Sequence, residues 1–275
     1  MADKIERIGV LGSGWLGLPL VGHLARSGRY HLLATTRSSE KLEDITQAGA
    51  SPILLNLPTS QKQITDTATQ QLLSADALII TLPPGRSRAN TFQAYQAEIS
   101  SIIVLAKLHN CGHLLYTSST GVYGRAEGLV DEQSSTVPIT ESARAVLWAE
   151  QAFRDSGIPA TILRLAGLYG PGRNPGKWFQ GRPIKQADAP VNLVHQQDVI
   201  RAIELVIEHS SWGQVYNVCG HEHPPKSEIY TKAAKALGLE PPTSEAGGVN
   251  GKMVSSEKIR THLGWSSRSL SGLYE

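Results

Sequence analysis

Gly12, Gly14 and Gly17 stand in the run Gly12-Ser13-Gly14-Trp15-Leu16-Gly17, the spacing of a loop that cradles a diphosphate. Each glycine has its own task there. Gly12 makes a sharp turn, Gly14 leaves room for a ligand at the backbone, and Gly17 lets a helix pack on a strand. Free amides and the dipole at the helix start favour phosphate charge, so Ser13, Trp15 and Leu16 join the glycines as candidate cofactor contacts. The alternative is a tight strand-to-helix turn that binds nothing. Further along, Arg37 follows the apolar run Leu32-Leu33-Ala34 twenty residues beyond Gly17, where a dinucleotide site that prefers NAD places an acidic residue. A guanidinium flanked by Ser38 suits a 2′-phosphate instead, which selects NADP over NAD. A solvated arginine at a strand end is the plainer reading.

The elements that must position these groups are legible in the hydrophobic pattern. Ile8–Leu11 reads as a strand entering the glycine loop, and Leu16, Leu20, Val21 and Leu24 follow at helical spacing. Pro19 falls in that helix's first turn, where proline is tolerated. Residues 30–36, 50–57 and 75–82 read as further strands, with a helix in the polar stretch before Gln71. The continuous apolar run Leu78-Ile79-Ile80 fits a parallel strand covered on both faces. Leu82 and Pro83 end that strand at the edge where open α/β sheets bind ligands, making them cofactor contacts as well. Over 90–107, Phe92, Tyr95, Ile99, Ile102, Ile103 and Ala106 mark an amphipathic helix with Asn90 as candidate N-cap. Its stripe fits the core or a dimer interface.

Composition bounds the function. The 275 residues are 40% hydrophobic and 18% charged, with a net charge of +2, which gives no case for nucleic acid or an anionic membrane. No apolar run is long enough to span a bilayer, and Met1–Arg7 lacks the apolar region of a signal peptide. Two cysteines, Cys111 and Cys219, make no disulfide framework, and the expected setting is the cytoplasm. Cys219, His221 and His223 alternate as zinc ligands on one strand face would, but no fourth ligand is placed, and no metal site is assigned.

The run Ser118-Ser119-Thr120-Gly121-Val122-Tyr123-Gly124 resembles the motif after the fifth strand of the extended short-chain dehydrogenase/reductase family, also called the NAD-dependent epimerase/dehydratase family. Leu163-Arg164-Leu165 with Leu168-Tyr169-Gly170-Pro171-Gly172, Asn192–Val199, Val215–Val218 and Lys258–Trp265 resemble later family segments in the right order. The resemblance implies an α/β fold: a Rossmann-type doubly wound parallel sheet with a small C-terminal substrate lobe. Residues 1–168, completed by about 192–218, would form the NAD(P)-binding core, and 169–191 with 219–275 the substrate-binding lobe. Asp198 is expected to cap the helix it opens.

In active family members a serine or threonine in the fifth-strand motif holds the substrate oxygen, a place taken here by Ser119. A tyrosine then acts as acid/base, and a lysine four residues on lowers its pKa, since a phenol titrating near 10 needs an adjacent cation to work at neutral pH. This chain departs from that pattern. Ser142 and Val146 occupy the two positions when Glu150 is used to align them, and no tyrosine lies between Tyr123 and Tyr169 nor any lysine between Lys107 and Lys177. Ser142 is a poor acid, and Arg144 lies roughly 200° around the axis from it. Tyr123 is the remaining candidate near Ser119, although the family tyrosine at that place usually packs structurally. Arg173 and Lys177, with Arg182, Trp178 and Phe179 close by, suit an anionic or sugar-like substrate, or equally a loop of solvated charges wrapped on the core. The segment is short beside those of nucleotide-sugar enzymes. Three functions remain: an epimerase/dehydratase-like oxidoreductase using NADP on a small polar carbonyl or hydroxyl compound, a non-catalytic NADP sensor, and a fold without cofactor. The resemblance suggests a homodimer through 90–107 and 141–155.

Overall fold

The computed structural model describes residues 5–85 and 91–274, so the expected cap at Asn90 and the extreme N-terminus lie outside the described residues. In chain order the first half holds β1 (Arg7–Leu11), α1 (Gly17–Ala25), β2 (His31–Thr36), α2 (Leu42–Gln47), β3 (Ser51–Leu54), α3 (Thr67–Leu73), β4 (Ala77–Ile80), α4 (Thr91–Leu108) and β5 (His113–Ser119). The second half holds β6 (Gly128–Val130), α5 (Glu141–Arg154), β7 (Ala160–Leu165), β8 (Gly167–Tyr169), β9 (Leu193–His195), α6 (Gln196–Glu208), β10 (Val215–Val218), α7 (Lys226–Ala236), β11 (Lys252–Val254) and α8 (Glu257–Leu263).

Seven strands pair in the order β10-β7-β5-β4-β1-β2-β3, all in parallel. The chain starts at β1, winds outward to β3, then crosses back to β4 on the other side of β1. The resulting switch point between β1 and β4 opens a crevice at the carboxyl ends of the strands. Every residue of β4 and β7 is buried, because helices cover both faces of the sheet and leave no polar side to alternate with. On α5, Ala145, Val146, Ala149 and Phe153 form the inward stripe, and Phe153 packs its ring against Tyr116 of β5 at 5.0 Å. The strands are shorter than the apolar runs suggested: β3 ends at Leu54 and β4 at Ile80, since the last residues of each run belong to crevice loops.

A second, smaller apolar cluster joins Tyr169, Ile184, Val191, Leu193, Ile229, Tyr230 and Leu270, with Trp178 and Phe179 packed against it. Two short parallel pairs, β8 with β9 and β6 with β11, tie this C-terminal part back to the main sheet. His195, not Asp198, caps α6: its Nδ1 accepts from the Gln197 amide at 3.1 Å. Asp198 sits one turn inside and uses both carboxylate oxygens on Arg268, at 3.0 Å from Nε and 3.1 Å from the backbone amide. Among the described residues no helix is long and apolar enough to cross a membrane.

Candidate functional site

The glycine loop is built as its spacing suggested. Gly12 has φ +100°, a left-handed value that a side chain would strain, and its missing Cβ leaves room for Leu82. A Cβ on Gly17 would stand 2.0 Å from the Gly12 carbonyl oxygen, so this glycine is what lets α1 start against β1. Gly14 is exposed, and nothing lies within 4 Å of where its Cβ would be. Two threonines fix the loop. Thr35 accepts from the Gly12 amide through its hydroxyl at 3.0 Å and from the Ser13 amide through its carbonyl at 2.9 Å. Thr81 donates its hydroxyl toward the carbonyls of Leu11 and Gly12, at 3.1 and 2.7 Å. Ser13 is buried, and its hydroxyl has no hydrogen-bond partner among the described residues. A buried hydroxyl left single in this way is costly. Beside the open face of Gly14 and the amides that begin α1, it fits an acceptor brought by a ligand.

The other cofactor candidates gather at the same edge. Arg37 and Ser38 follow directly on β2, two and three residues beyond Thr35, with Arg37 exposed. The Ser38 amide is held by the Thr36 hydroxyl at 3.1 Å. Leu82 and Pro83 follow β4, and the Leu82 carbonyl accepts from the Tyr95 hydroxyl at 2.7 Å. That phenol also meets the Tyr116 hydroxyl at 2.9 Å, and burial raises the pKa of both rings.

Ser119 ends β5, half-exposed, with its hydroxyl accepting from the Gly121 amide at 3.1 Å. That leaves its proton free to donate to a substrate oxygen. Gly121 faces Ala143 in the first turn of α5, which places Ser142 on the helix end beside the Ser119 loop. Val146, where the family lysine would stand, is 5% exposed and part of the core stripe. Arg144 is exposed and turns its guanidinium to the Ile139 carbonyl.

Tyr123 is 1% exposed and sits in a closed network. Its hydroxyl donates to Asn217 Oδ1 at 2.8 Å and accepts from Arg164 at 2.9 Å. Burial raises its pKa and outweighs the opposing pull of the Arg164 cation. A phenol with both hydrogen bonds used inside the protein and its acidity suppressed is placed to hold the fold, not to exchange protons with a substrate. Arg164 in turn grips Glu150, which is fully buried, with contacts of 2.8–3.2 Å, while Ser118 donates to the same carboxylate. Burial works against the Arg164 cation, yet Glu150 holds its pKa above the ordinary value.

Arg173 lies over the Trp15 ring, 4.2 Å from its centroid, while the Trp15 indole donates to the Pro171 carbonyl at 2.7 Å. This arginine is thus brought to the glycine loop. Lys177 is exposed and ends a short turn, Pro175–Lys177, seated on α7. Trp178 and Phe179 pack on Tyr230, and Arg182 bonds the Trp178 carbonyl, so these aromatics are core of the lobe and offer no open platform. The Cys219, His221 and His223 side chains go separate ways: β10 ends at Val218, the Cys219 sulfur faces Asn192 and Leu193, His221 meets Ser267, and His223 meets the Val191 carbonyl. Burial pushes the Cys219 thiol up to about 12.

Lys252 escaped the sequence reading. Reaching from β11, its Nζ donates to the Thr120 and Gly124 carbonyls, both at 3.0 Å, and braces the loop that carries Ser119. Burial lowers its pKa. No local pattern marks it, since the pairing of β11 with β6 that delivers it joins segments more than a hundred residues apart. Thr35 and Thr81 were legible in principle, as hydroxyls at the ends of strands that feed loops.

Fold, crevice and glycine loop together define a Rossmann-type dinucleotide-binding protein. A family model described as NAD(P)H-binding matches residues 12–204, and the chain belongs to the extended short-chain dehydrogenase/reductase family, the NAD-dependent epimerases and dehydratases. It is 34% identical to Protein YeeZ of Escherichia coli (strain K12), over 95% of each chain. It is also 27% identical to a dTDP-glucose 4,6-dehydratase of Streptomyces niveus, over 61% of this chain and 56% of that one. Among solved structures, UDP-glucuronic acid 4-epimerase from Bacillus cereus in complex with NAD superposes with a TM-score of 0.80 at 20% identity, covering 98% of this chain and 96% of the other.

Proposed function

We propose that this protein is an NADP(H)-dependent oxidoreductase of epimerase/dehydratase type that acts on a small polar, sugar-like carbonyl or hydroxyl compound. The observation that carries the reading is the buried Ser13 hydroxyl, unpaired among the described residues, beside the open face of Gly14 at the crevice, with Arg37 just beyond the next strand. Gly12, Ser13, Gly14, Trp15, Leu16 and Gly17 would hold the diphosphate of the dinucleotide, Leu82 and Pro83 would line its path, and Arg37 with Ser38 would take the 2′-phosphate. When bound, the cofactor supplies or accepts the hydride. Ser119 donates its hydroxyl proton as a hydrogen bond to the substrate oxygen and orients it. Ser142, at the helix end beside that loop, offers a second hydroxyl to the same oxygen. Solvent water delivers the proton, since Ser142, a poor acid, holds the position of the family tyrosine and buried Val146 that of the lysine. Arg173 and Lys177 offer charge to an anionic part of the substrate. The free, buried Cys111 and Cys219 support a reducing compartment, the cytoplasm.

The same facts at Val146 and Tyr123 favour a second reading, a non-catalytic NADP-binding sensor. The two part in one assay. NADPH is titrated by its fluorescence, and its oxidation is then followed at 340 nm over small aldoses, ketoses and hydroxy-carbonyl compounds, expecting slow turnover that Ser119→Ala lowers by at least tenfold. Stoichiometric binding without oxidation of NADPH leaves the sensor, and no binding of either nucleotide ends both.

A further inference from the structure

Behind the glycine loop, a pocket of about 240 Å³ lies between β8, the start of α6 and the C-terminal turn Leu270–Leu273. None of its lining residues belongs to the glycine loop, the Arg37 segment or the Ser119 loop. We propose that it is a second ligand site, which takes a small anion through a carboxylate or phosphate group.

Its polar lining is one-sided. His195 accepts the Gln197 amide on Nδ1 at 3.1 Å, so the neutral ring carries its proton on Nε2. That nitrogen is 3.3 Å from where a Cβ of Gly170, another lining residue, would be. Asn174 uses its Oδ1 on the Gly176 amide at 2.8 Å and keeps its two amide protons to give. Ser269 accepts from the Ser271 amide at 3.1 Å and keeps its hydroxyl proton. Arg268 spends Nε and its backbone amide on Asp198, while its terminal nitrogens have no acceptor among the described residues. Tyr169 is 4% exposed, and its hydroxyl has no hydrogen-bond partner among the described residues. Its ring lines the pocket edge-on to His195, 5.0 Å between centroids, and burial pushes the phenol up to about 12, so it remains a donor.

Five residues of the lining thus keep a donor with no acceptor among the described residues, and in three of them, His195, Asn174 and Ser269, a backbone amide already occupies the acceptor. A ligand rich in acceptors and short of protons is the complement, and an ionised oxygen gains most from it. The two nearby carboxylates do not oppose this. Asp198 is bound through both oxygens to Arg268, and Glu222 accepts from the Leu270 amide at 3.2 Å with His221 at 3.6 Å. The cavity has room for a ligand of several non-hydrogen atoms.

The test is isothermal titration of the full chain at pH 7.5 in chloride buffer with inorganic phosphate and, separately, with malonate. Saturable one-site binding of at least one probe is expected, and the preferred probe identifies the acid group. Arg268→Gln and Tyr169→Phe should each weaken it at least fivefold, with Tyr169→Phe keeping the wild-type melting temperature within a few degrees. If Arg268→Gln fails to fold, Tyr169→Phe alone decides. Absence of saturable binding by both probes overturns the proposal, as does unchanged affinity in the folded variants, which would move the anion to the glycine loop.

Discussion

Arg37 stands two residues beyond Thr35, whose hydroxyl and carbonyl both hold the glycine loop, so its guanidinium is carried on the same short lever as the diphosphate cradle. A 2′-phosphate at that point adds charge-assisted bonds of about 1.5–3 kcal/mol. Arg37→Asp should therefore cost NADPH at least about tenfold in affinity, since each 1.4 kcal/mol is a factor of ten. NADH should be little affected or improved. Fluorescence titration of both nucleotides checks this, and an unchanged NADPH/NADH ratio would remove the preference. His195 allows a test by acid. Burial first, then the Arg268 cation, lowers its pKa below the ordinary imidazole value. The unfolded chain therefore binds the proton more readily. The stability tied to His195 is undiminished above the unfolded value of about 6.5 and is lost as pH falls from there toward the folded value. His195→Asn keeps a residue able to cap α6. The difference in Tm between wild type and this variant should shrink from pH 7.5 to pH 5.5, and a constant difference would show that His195 does not titrate in this range.

Among the elements, the strand β5, the turn Thr120–Tyr123, α5 and β7 are joined by one buried charge network. Glu150 and Arg164 form its centre, with Ser118, Tyr123 and Asn217 around them. Removing one partner of such a pair leaves a charge without compensation, at a cost of about 3–5 kcal/mol. Arg164→Met should lower Tm by roughly 10 °C, at about 2–4 °C per kcal/mol for a chain of this size, and Glu150→Gln added to it should restore part of the loss. Tyr123→Phe should lower Tm slightly and leave any NADPH turnover intact; loss of turnover in a folded variant would restore Tyr123 as a proton donor. Differential scanning calorimetry and the 340 nm assay read these outcomes. The network also shows which parts of the chain were legible. The glycine loop and β4 followed from local pattern, because burial on both faces writes apolar runs and a glycine turn writes its own spacing, while the doubly wound sheet and α5 came from the family resemblance. The place of Tyr123 did not, since its partners Asn217 and Arg164 come from strands far along the chain. The same holds for Lys252 under the Ser119 loop, and for the cap of α6, where His195 outcompeted an aspartate of better propensity because Asp198 was already committed to Arg268.

At the scale of the whole molecule, two apolar clusters hold the sheet and the smaller C-terminal part, and the main sheet leaves one helical face only partly covered. On α4, Val104 and Leu108 are 55% and 52% exposed, one turn apart, where the inward stripe of Tyr95, Ile99, Ile102 and Ala106 is fully used on the core. The neighbouring α5 adds half-buried Leu147 and Trp148. Exposed branched side chains at i and i+4 on a long helix beside a second helix are suited to a two-fold contact in which α4 and α5 of one copy meet those of another. A stable contact of this kind covers about 1,600 Å² in total, and charges placed at its centre are not tolerated. The wild-type chain is therefore expected to sediment as a dimer at micromolar concentration, and the double substitution Val104→Glu with Leu108→Glu to give a folded monomer with unchanged NADPH affinity, because neither residue touches the crevice side of the sheet. Sedimentation equilibrium decides the matter: a wild-type monomer, or a variant of wild-type mass, would leave those two side chains as isolated surface residues.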